Sequence, residues 1–373
     1  MVLQKCFTDE FISSRAGNNI ENKRIYEKVV YAFYLLEKIS NLNFDFVFKG
    51  GTSLMLLLNT FNRFSVDIDI LMNPKDQDEI CNAVYTLKDD KFINVEEDKR
   101  KPVDIIKRHF KFYFKSIYPL NNDNDSPYIL LDIVFDEMKY VGLSKHKINS
   151  HFVETDDPYL EVSIPSVDEM LGDKLTAFAP KTIGILYKRP NHFRSKHVEI
   201  IKQLYDVAKL YDNMTNLDLV KETYIKVANI QIRNRELTIN YKDAIKDTIE
   251  ACKLIITQNK KEIDNDNYAI LKKGYEGFKH YTVNDFRFQD LIINAVKVYI
   301  LSISILYDDI FSEVAKPINT FVGKDWKYIR QNVGIELYEK LLQACFVENK
   351  YSKWCFRKKI RKSRILTYFR NML

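Results

Sequence analysis

The stretch Phe48–Leu71, FKGGTSLMLLLNTFNRFSVDIDIL, constrains this chain more than any other feature. It joins a Gly-Gly turn to an Asp-x-Asp pair through a short apolar helix pattern. Phe46, Val47 and Phe48 read as the end of a buried strand, which Gly50-Gly51 breaks. Thr52 and Ser53 are placed to cap a helix that begins with Leu54–Leu58. A second short strand follows, with Ile68 and Ile70 alternating against Asp67 and Asp69. Strand residues two apart share a face, so both carboxylates project together. Neighbouring carboxylates repel and resist ionisation unless cations neutralise them. Hard divalent ions with oxygen ligands, Mg²⁺ above all, meet that need, with substrate phosphates completing the shell. The glycine turn supplies the other half, because its backbone can approach a phosphate and the helix N-terminus behind it favours anions. Alone, a Gly-Gly turn is usually just a turn, and Asp-Ile-Asp usually a strand with one wet face. Their joint order is far more specific and predicts a metal-dependent nucleotide site.

At 373 residues the chain is long enough for two domains. With 46% hydrophobic and 29% charged residues it has the composition of a globular protein. No apolar run is read as a membrane span, and the N-terminus MVLQKCFTDEF lacks a signal-peptide core, so no membrane partner is expected. The 5 cysteines (Cys6, Cys81, Cys252, Cys345, Cys355) are scattered and odd in number, which argues against a disulfide framework or zinc site and predicts a cytoplasmic protein. The 6 histidines form no helical ligand pair, and the formal charge of +6 hints at an acidic partner.

The first half mixes helix and strand. Asn22–Ser40 carries a well-buried amphipathic helix pattern, and Lys75–Asp90 reads as a surface helix. Phe110, Phe112 and Phe114 alternate with polar residues on one strand. Tyr128–Asp136 is the next and most apolar strand, and PLNNDNDSP between them is a hairpin connection. Leu160–Ile164 is a final strand ended by Pro165, after which the pattern is helical to the C-terminus. The expected class is α+β, with residues 1–165 forming a mixed sheet flanked by helices and residues 166–373 an all-helical domain that completes the cleft.

The string GGTSL…RFSVDIDI resembles motif I of the polymerase-beta-type nucleotidyltransferase superfamily, and within it the AbiEii/AbiGii toxin family. That family usually has an acidic residue between the Ser and the first Asp, where Val66 stands here. The resemblance covers roughly Phe44–Asp212 and implies a third metal-binding carboxylate on a neighbouring strand. Asp132 is the candidate, since it sits in the apolar run Ile129–Val134 where an unpaired charge would be expensive. Asp67 and Asp69 would then bridge two metals, and Asp132 would ligate the activating metal or accept the hydroxyl proton. Gly50, Gly51, Thr52 and Ser53 would hold the phosphates, with Arg63 and Ser65 beside them.

In the same family a helix with a Lys, a basic loop, and a helix with Lys/Arg before a Tyr-Asp pair complete the site. The matching positions are Lys174, and Lys202 with Asp206; the acidic residue often following the Lys is Gln203 here. Lys174 falls on a largely apolar helix, where its ammonium needs a triphosphate or Asp206 as partner. Lys202 and Asp206 are spaced i, i+4 and could also form a plain helix ion pair. Two acid-free basic tracts follow. Lys181–Lys196 includes Lys188, Arg189 and Arg194, and Lys353–Arg370 includes Arg357, Lys358, Lys359, Arg361 and Lys362. Such tracts near a nucleotide site suit an RNA backbone.

The resemblance implies transfer of a nucleoside monophosphate from an NTP with Mg²⁺, or Mn²⁺ in its place, releasing pyrophosphate. It further implies the toxin of a toxin–antitoxin pair associated with abortive phage infection, and hence a cognate antitoxin. A tRNA 3′ end is the first choice of acceptor. The alternatives are a protein AMP- or UMP-transferase and a non-catalytic nucleotide-binding partner.

Overall fold

The computed structural model describes residues 1–306 apart from 60, 100–105, 120–125, 138–139, 189–195 and 260–261. Arg189, Arg194, Arg357, Lys358 and Arg361 lie outside the described residues.

A seven-stranded mixed sheet forms the N-terminal half. Its strands are β1 (Phe46–Lys49), β2 (Ile68–Met72), β3 (Phe92–Glu97), β4 (Ile106–Phe114), β5 (Tyr128–Phe135), β6 (Leu143–Lys147) and β7 (Glu161–Pro165). The spatial order is β3-β4-β5-β2-β1-β7-β6, which puts the two strands of the Gly-Gly/Asp-x-Asp unit near the centre. β2 runs parallel to β5 and β1 parallel to β7, while β1–β2 and β4–β5 are antiparallel. β4 buries Phe110, Phe112 and Phe114 on one face, as their alternation predicts. β5 likewise buries Ile129, Leu131, Ile133 and Phe135 and turns Asp132 to the other, half-buried face. The continuous apolar run thus conceals an alternating strand, and Asp132 is not sunk in the core.

The long helix α2 (Ile20–Ser40) follows α1 (Asp9–Ala16), and Asn19 caps it by accepting from the amides of Glu21 and Asn22. α3 (Gly50–Leu57) links β1 to β2. α4 is shorter than the pattern suggests, Gln77–Tyr85, because a 3₁₀ turn takes Pro74–Asp76 before it and a turn begins at Thr86 after it. β3 and β6 have no counterpart in the sequence reading. β6 is an edge strand with almost every residue exposed, so no apolar alternation marks it.

After Pro165 the described chain is helical: α5 (Val167–Ala177), α6 (His197–Tyr211), α7 (Leu217–Asn234), α8 (Tyr241–Thr257), α9 (Asn265–Phe278) and α10 (Phe288–Leu306). The buried apolar residues of sheet and helices form one continuous cluster, so Pro165 marks a change of secondary structure within a shared core. The helical half also ties down the loop before β2. Phe64 donates to the Tyr281 carbonyl at 2.7 Å, and Val283 to that of Asn62 at 3.0 Å. α10 corrects one expectation, since by length and composition it could cross a membrane. Its apolar window is 83% buried inside the protein, as in a core helix. Lys297 within it is buried and paired with Asp212 at 2.8 Å.

Candidate active site

The Gly-Gly turn brings the end of β1 directly beneath Asp69. Gly50 has φ +80°, and a Cβ there would come within 1.9 Å of Asp69 Oδ2. Only glycine meets both demands. α3 starts at Gly50 itself, so Thr52 and Ser53 lie within its first turn and do not cap it. Thr52 donates to the Asp67 carbonyl at 2.5 Å and Ser53 to the Gly50 carbonyl at 3.0 Å, and both residues are fully buried. Their hydroxyls fasten the turn to β2, while Gly50, Gly51 and Ser65 border the open cleft.

Register then lines up four polar side chains across four strands. Lys49 on β1 opposes Asp69 on β2, Asp69 opposes Asp132 on β5, and Asp132 opposes His109 on β4. Directly opposed residues share a face of the sheet, so the row forms one polar track. Its ends are already engaged. Lys49 is held by Asp173 of α5 at 3.0 Å and by the Tyr140 hydroxyl at 3.3 Å. Asp132 Oδ1 lies 2.6 Å from His109 Nδ1. Lys49, Asp173, Tyr140 and His109 were not among the sequence candidates.

The carboxylates of Asp69 and Asp67 carry the strain. Burial pushes Asp69 up to about 7, with Asp132 and then Asp67 adding repulsion. Asp67, at the cleft mouth, is also raised, first by desolvation and then by Asp132, against the pull of Lys202 and Lys28. Burial works against the charge on Lys49, yet Asp173 and Tyr140 outweigh it and hold the ammonium above the usual lysine range.

Among the described residues, no three His, Cys, Asp or Glu side chains converge closely enough to hold a metal ion. Asp69 and Asp132 stand opposite each other across β2 and β5, and Asp132 is hydrogen-bonded to His109. Asp67 and Asp69 do fit a hard cation: they are oxygen donors, they repel each other, and a cation would relieve the cost of ionising both.

The opposite wall comes from the helical half. A cleft of about 420 Å³ is bounded on one side by the Gly-Gly turn and Asp67/Asp69, and on the other by Lys174 of α5, Lys202 of α6 and Arg235 just past α7. Asp206 is fully buried behind it and does not border the open volume. Its two oxygens take Arg63 Nε and Nη2 at 2.8 Å each, and Lys174 Nζ lies 3.1 Å from Oδ2. Burial would raise this carboxyl, but Arg63 and Lys174 hold it below the usual range. The i, i+4 reading of Lys202 with Asp206 gives way to this bidentate pairing. Lys202 Nζ instead sits 3.7 Å from the centre of the Tyr281 ring. Desolvation, then the Arg63 charge, bring it down to about 8. Asp206 thus orients two cations that face the cleft. Lys188 stands elsewhere, exposed and 3.2 Å from Asp266.

The family described as nucleotidyl transferase AbiEii toxin, type IV TA system, matches residues 34–287, a span that includes every residue bordering the cleft. No curated protein matches the chain. A provisionally assigned nucleotidyltransferase from H. pylori is similar at 16% identity and a TM-score of 0.40, covering 76% of this chain and 96% of its own. An antigenic nucleotidyltransferase-like protein from Paracoccidioides brasiliensis is similar at 13% identity and 0.32, covering 59% and 93%. Both likenesses are too loose to bear on the site. On the strength of the family match, which takes in the sheet, the turn and the cation wall, the chain belongs to the AbiEii family of nucleotidyltransferase toxins of type IV toxin–antitoxin systems.

Proposed function

We propose that the cleft transfers a nucleoside monophosphate from an NTP to the 3′ end of a tRNA, with Mg²⁺ or Mn²⁺ bound at Asp67 and Asp69. The observation that carries this reading is the juxtaposition of two strained carboxylates, the Gly50-Gly51 turn and Arg63 on one wall with Lys174, Lys202 and Arg235 on the other. The acceptor hydroxyl attacks the α-phosphorus, the bond to the β-phosphate breaks, and pyrophosphate leaves. The bound cations would polarise the phosphates and offset the developing negative charge. The Gly50 and Gly51 backbone would take the distal phosphates close, where a side chain would collide with Asp69 at the first position and with Arg63 and Ser65 at the second. Lys174 and Arg63, fixed by Asp206, neutralise the triphosphate without needing to reorganise. Asp132, opposite Asp69 in register though not bordering the cleft, would receive the hydroxyl proton, with His109 holding its orientation.

RNA is favoured as acceptor by the acid-free basic tract Lys353–Arg370, which lies outside the matched region. The test is incubation with each α-labelled NTP, Mg²⁺, total tRNA and a cell protein extract, followed by denaturing gels. Label on tRNA supports the reading; label on protein alone would replace the acceptor with a hydroxyl side chain.

A further inference from the structure

A second cavity of about 320 Å³ lies behind the active cleft. The two share a wall built from three pairs of sequence neighbours. Asn62, Tyr205 and Thr282 border the second cavity, while Arg63 and Tyr281 border the cleft and Asp206 carries the cations that do. At two of these pairs, consecutive residues, whose Cα atoms are about 3.8 Å apart, border the two spaces.

The lining has a defined chemistry. Three asparagines are among the lining residues, Asn62, Asn284 and Asn294, and an amide side chain can donate and accept at once. Asn294 sits on the core helix α10, is only 5% exposed, and its enclosed Nδ2 has no hydrogen-bond partner among the described residues. Lys209 and Arg287 add two cations at the rim, and Asp285 and Asp290 two acids. Asp290 is tied to Arg287, accepting from its backbone amide at 2.8 Å and from Nε at 3.4 Å. Amides that read a donor–acceptor edge, cations for phosphate and carboxylates for sugar hydroxyls are the complement of a nucleotide. The aromatic edges of Tyr205 and Phe286 close the floor.

We propose that this second cavity binds a nucleotide, either free or unpaired within an RNA strand. A ligand there would press on Asn62, Tyr205 and Thr282, and through their neighbours bias the Arg63–Asp206 pair and the Tyr281 ring under Lys202. Occupancy would therefore change how the cleft holds its triphosphate.

The experiment uses the full chain in EDTA, which strips the cations that the cleft requires. Labelled single-stranded RNA trinucleotides and the four nucleoside monophosphates serve as probes in fluorescence anisotropy. Binding is expected to weaken about tenfold, the loss of one or two hydrogen bonds to charged groups, in an Asn284→Ala/Arg287→Ala variant. Those side chains are exposed, so the fold is preserved; Asn294→Leu, buried in α10, should give the same loss. Asp67→Asn/Asp69→Asn should leave binding unchanged. Monophosphates binding as tightly as the trinucleotides would identify a free nucleotide as the occupant, and preference for the trinucleotides an RNA strand. Absence of binding by either probe in EDTA overturns the proposal, as does binding that the Asp67/Asp69 variant removes and the Asn284/Arg287 variant does not. Neither result would touch nucleotidyl transfer in the cleft, which is measured with metal and NTP.

Discussion

Replacing Asp206 with Asn should destabilise the protein far more than a single polar substitution ordinarily does. Arg63 is 3% exposed and Asp206 0%, and they meet through two 2.8 Å hydrogen bonds. Removing the charge on one partner strands a buried guanidinium beside Lys174 and Lys202, and such a break costs about 3–5 kcal/mol. The reverse change is milder. In Arg63→Met the carboxylate keeps Lys174 at 3.1 Å, so a loss of about 2 kcal/mol is expected. The double variant Arg63→Met/Asp206→Asn strands no buried guanidinium, and its cost should fall short of the sum of the two single changes by about 2 kcal/mol. Urea unfolding followed by far-UV circular dichroism gives all three values from the shift in midpoint at constant slope. Additive costs, or a smaller loss in Asp206→Asn than in Arg63→Met, would refute the reasoning. The double variant should fold yet fail to transfer, since the cleft would lose Arg63 and the anchor of Lys174.

Stability of the metal-free protein should depend on Asp69. A carboxyl raised to about 7 in the fold loses stability on ionising, so the penalty is absent below about pH 4 and complete above about pH 7. Asp69→Asn should match the parent at pH 4 and exceed it by about 2 kcal/mol at pH 8 after allowance for partial exposure, and a gap independent of pH would contradict this. Gly50→Ala should abolish NTP binding measured by calorimetry, because its Cβ would sit 1.9 Å from Asp69 Oδ2 and its φ is +80°. Neutralising Arg357, Lys358, Lys359, Arg361 and Lys362 together should weaken tRNA binding and flatten its dependence on salt while NTP affinity holds, and an unchanged slope would exclude the tail from the acceptor surface.

What the sequence disclosed was the chemistry that neighbouring residues carry. Gly50-Gly51 and Asp67/Asp69 were readable because a turn and a two-residue strand period are local rules. The partner of Asp132 was not, since His109 is brought opposite it only by the pairing of β4 with β5. Lys202 and Asp206 have the spacing of a helix ion pair, yet Asp206 takes Arg63 from 143 residues upstream because burial rewards the bidentate fork. Thr52 and Ser53 were read as caps because the pattern starts at Leu54; the positive φ of Gly50 lets the helix begin earlier and turns both hydroxyls inward. Lys49 and Asp173 gave no periodic signal, although each adjoins a residue that the motif reading singled out, Gly50 and Lys174.

The central claim is that Asp67 and Asp69 support transfer of the α-phosphoryl nucleotide, and single-turnover labelling tests it most directly. The parent, Asp67→Asn and Asp69→Asn are each mixed with α- or γ-labelled NTP, Mg²⁺ and tRNA and resolved on denaturing gels. The account predicts α-label on tRNA, no γ-label, and a rate at least about a hundredfold lower in either variant. Parental rates in both variants, or transfer of the γ-label, would contradict it.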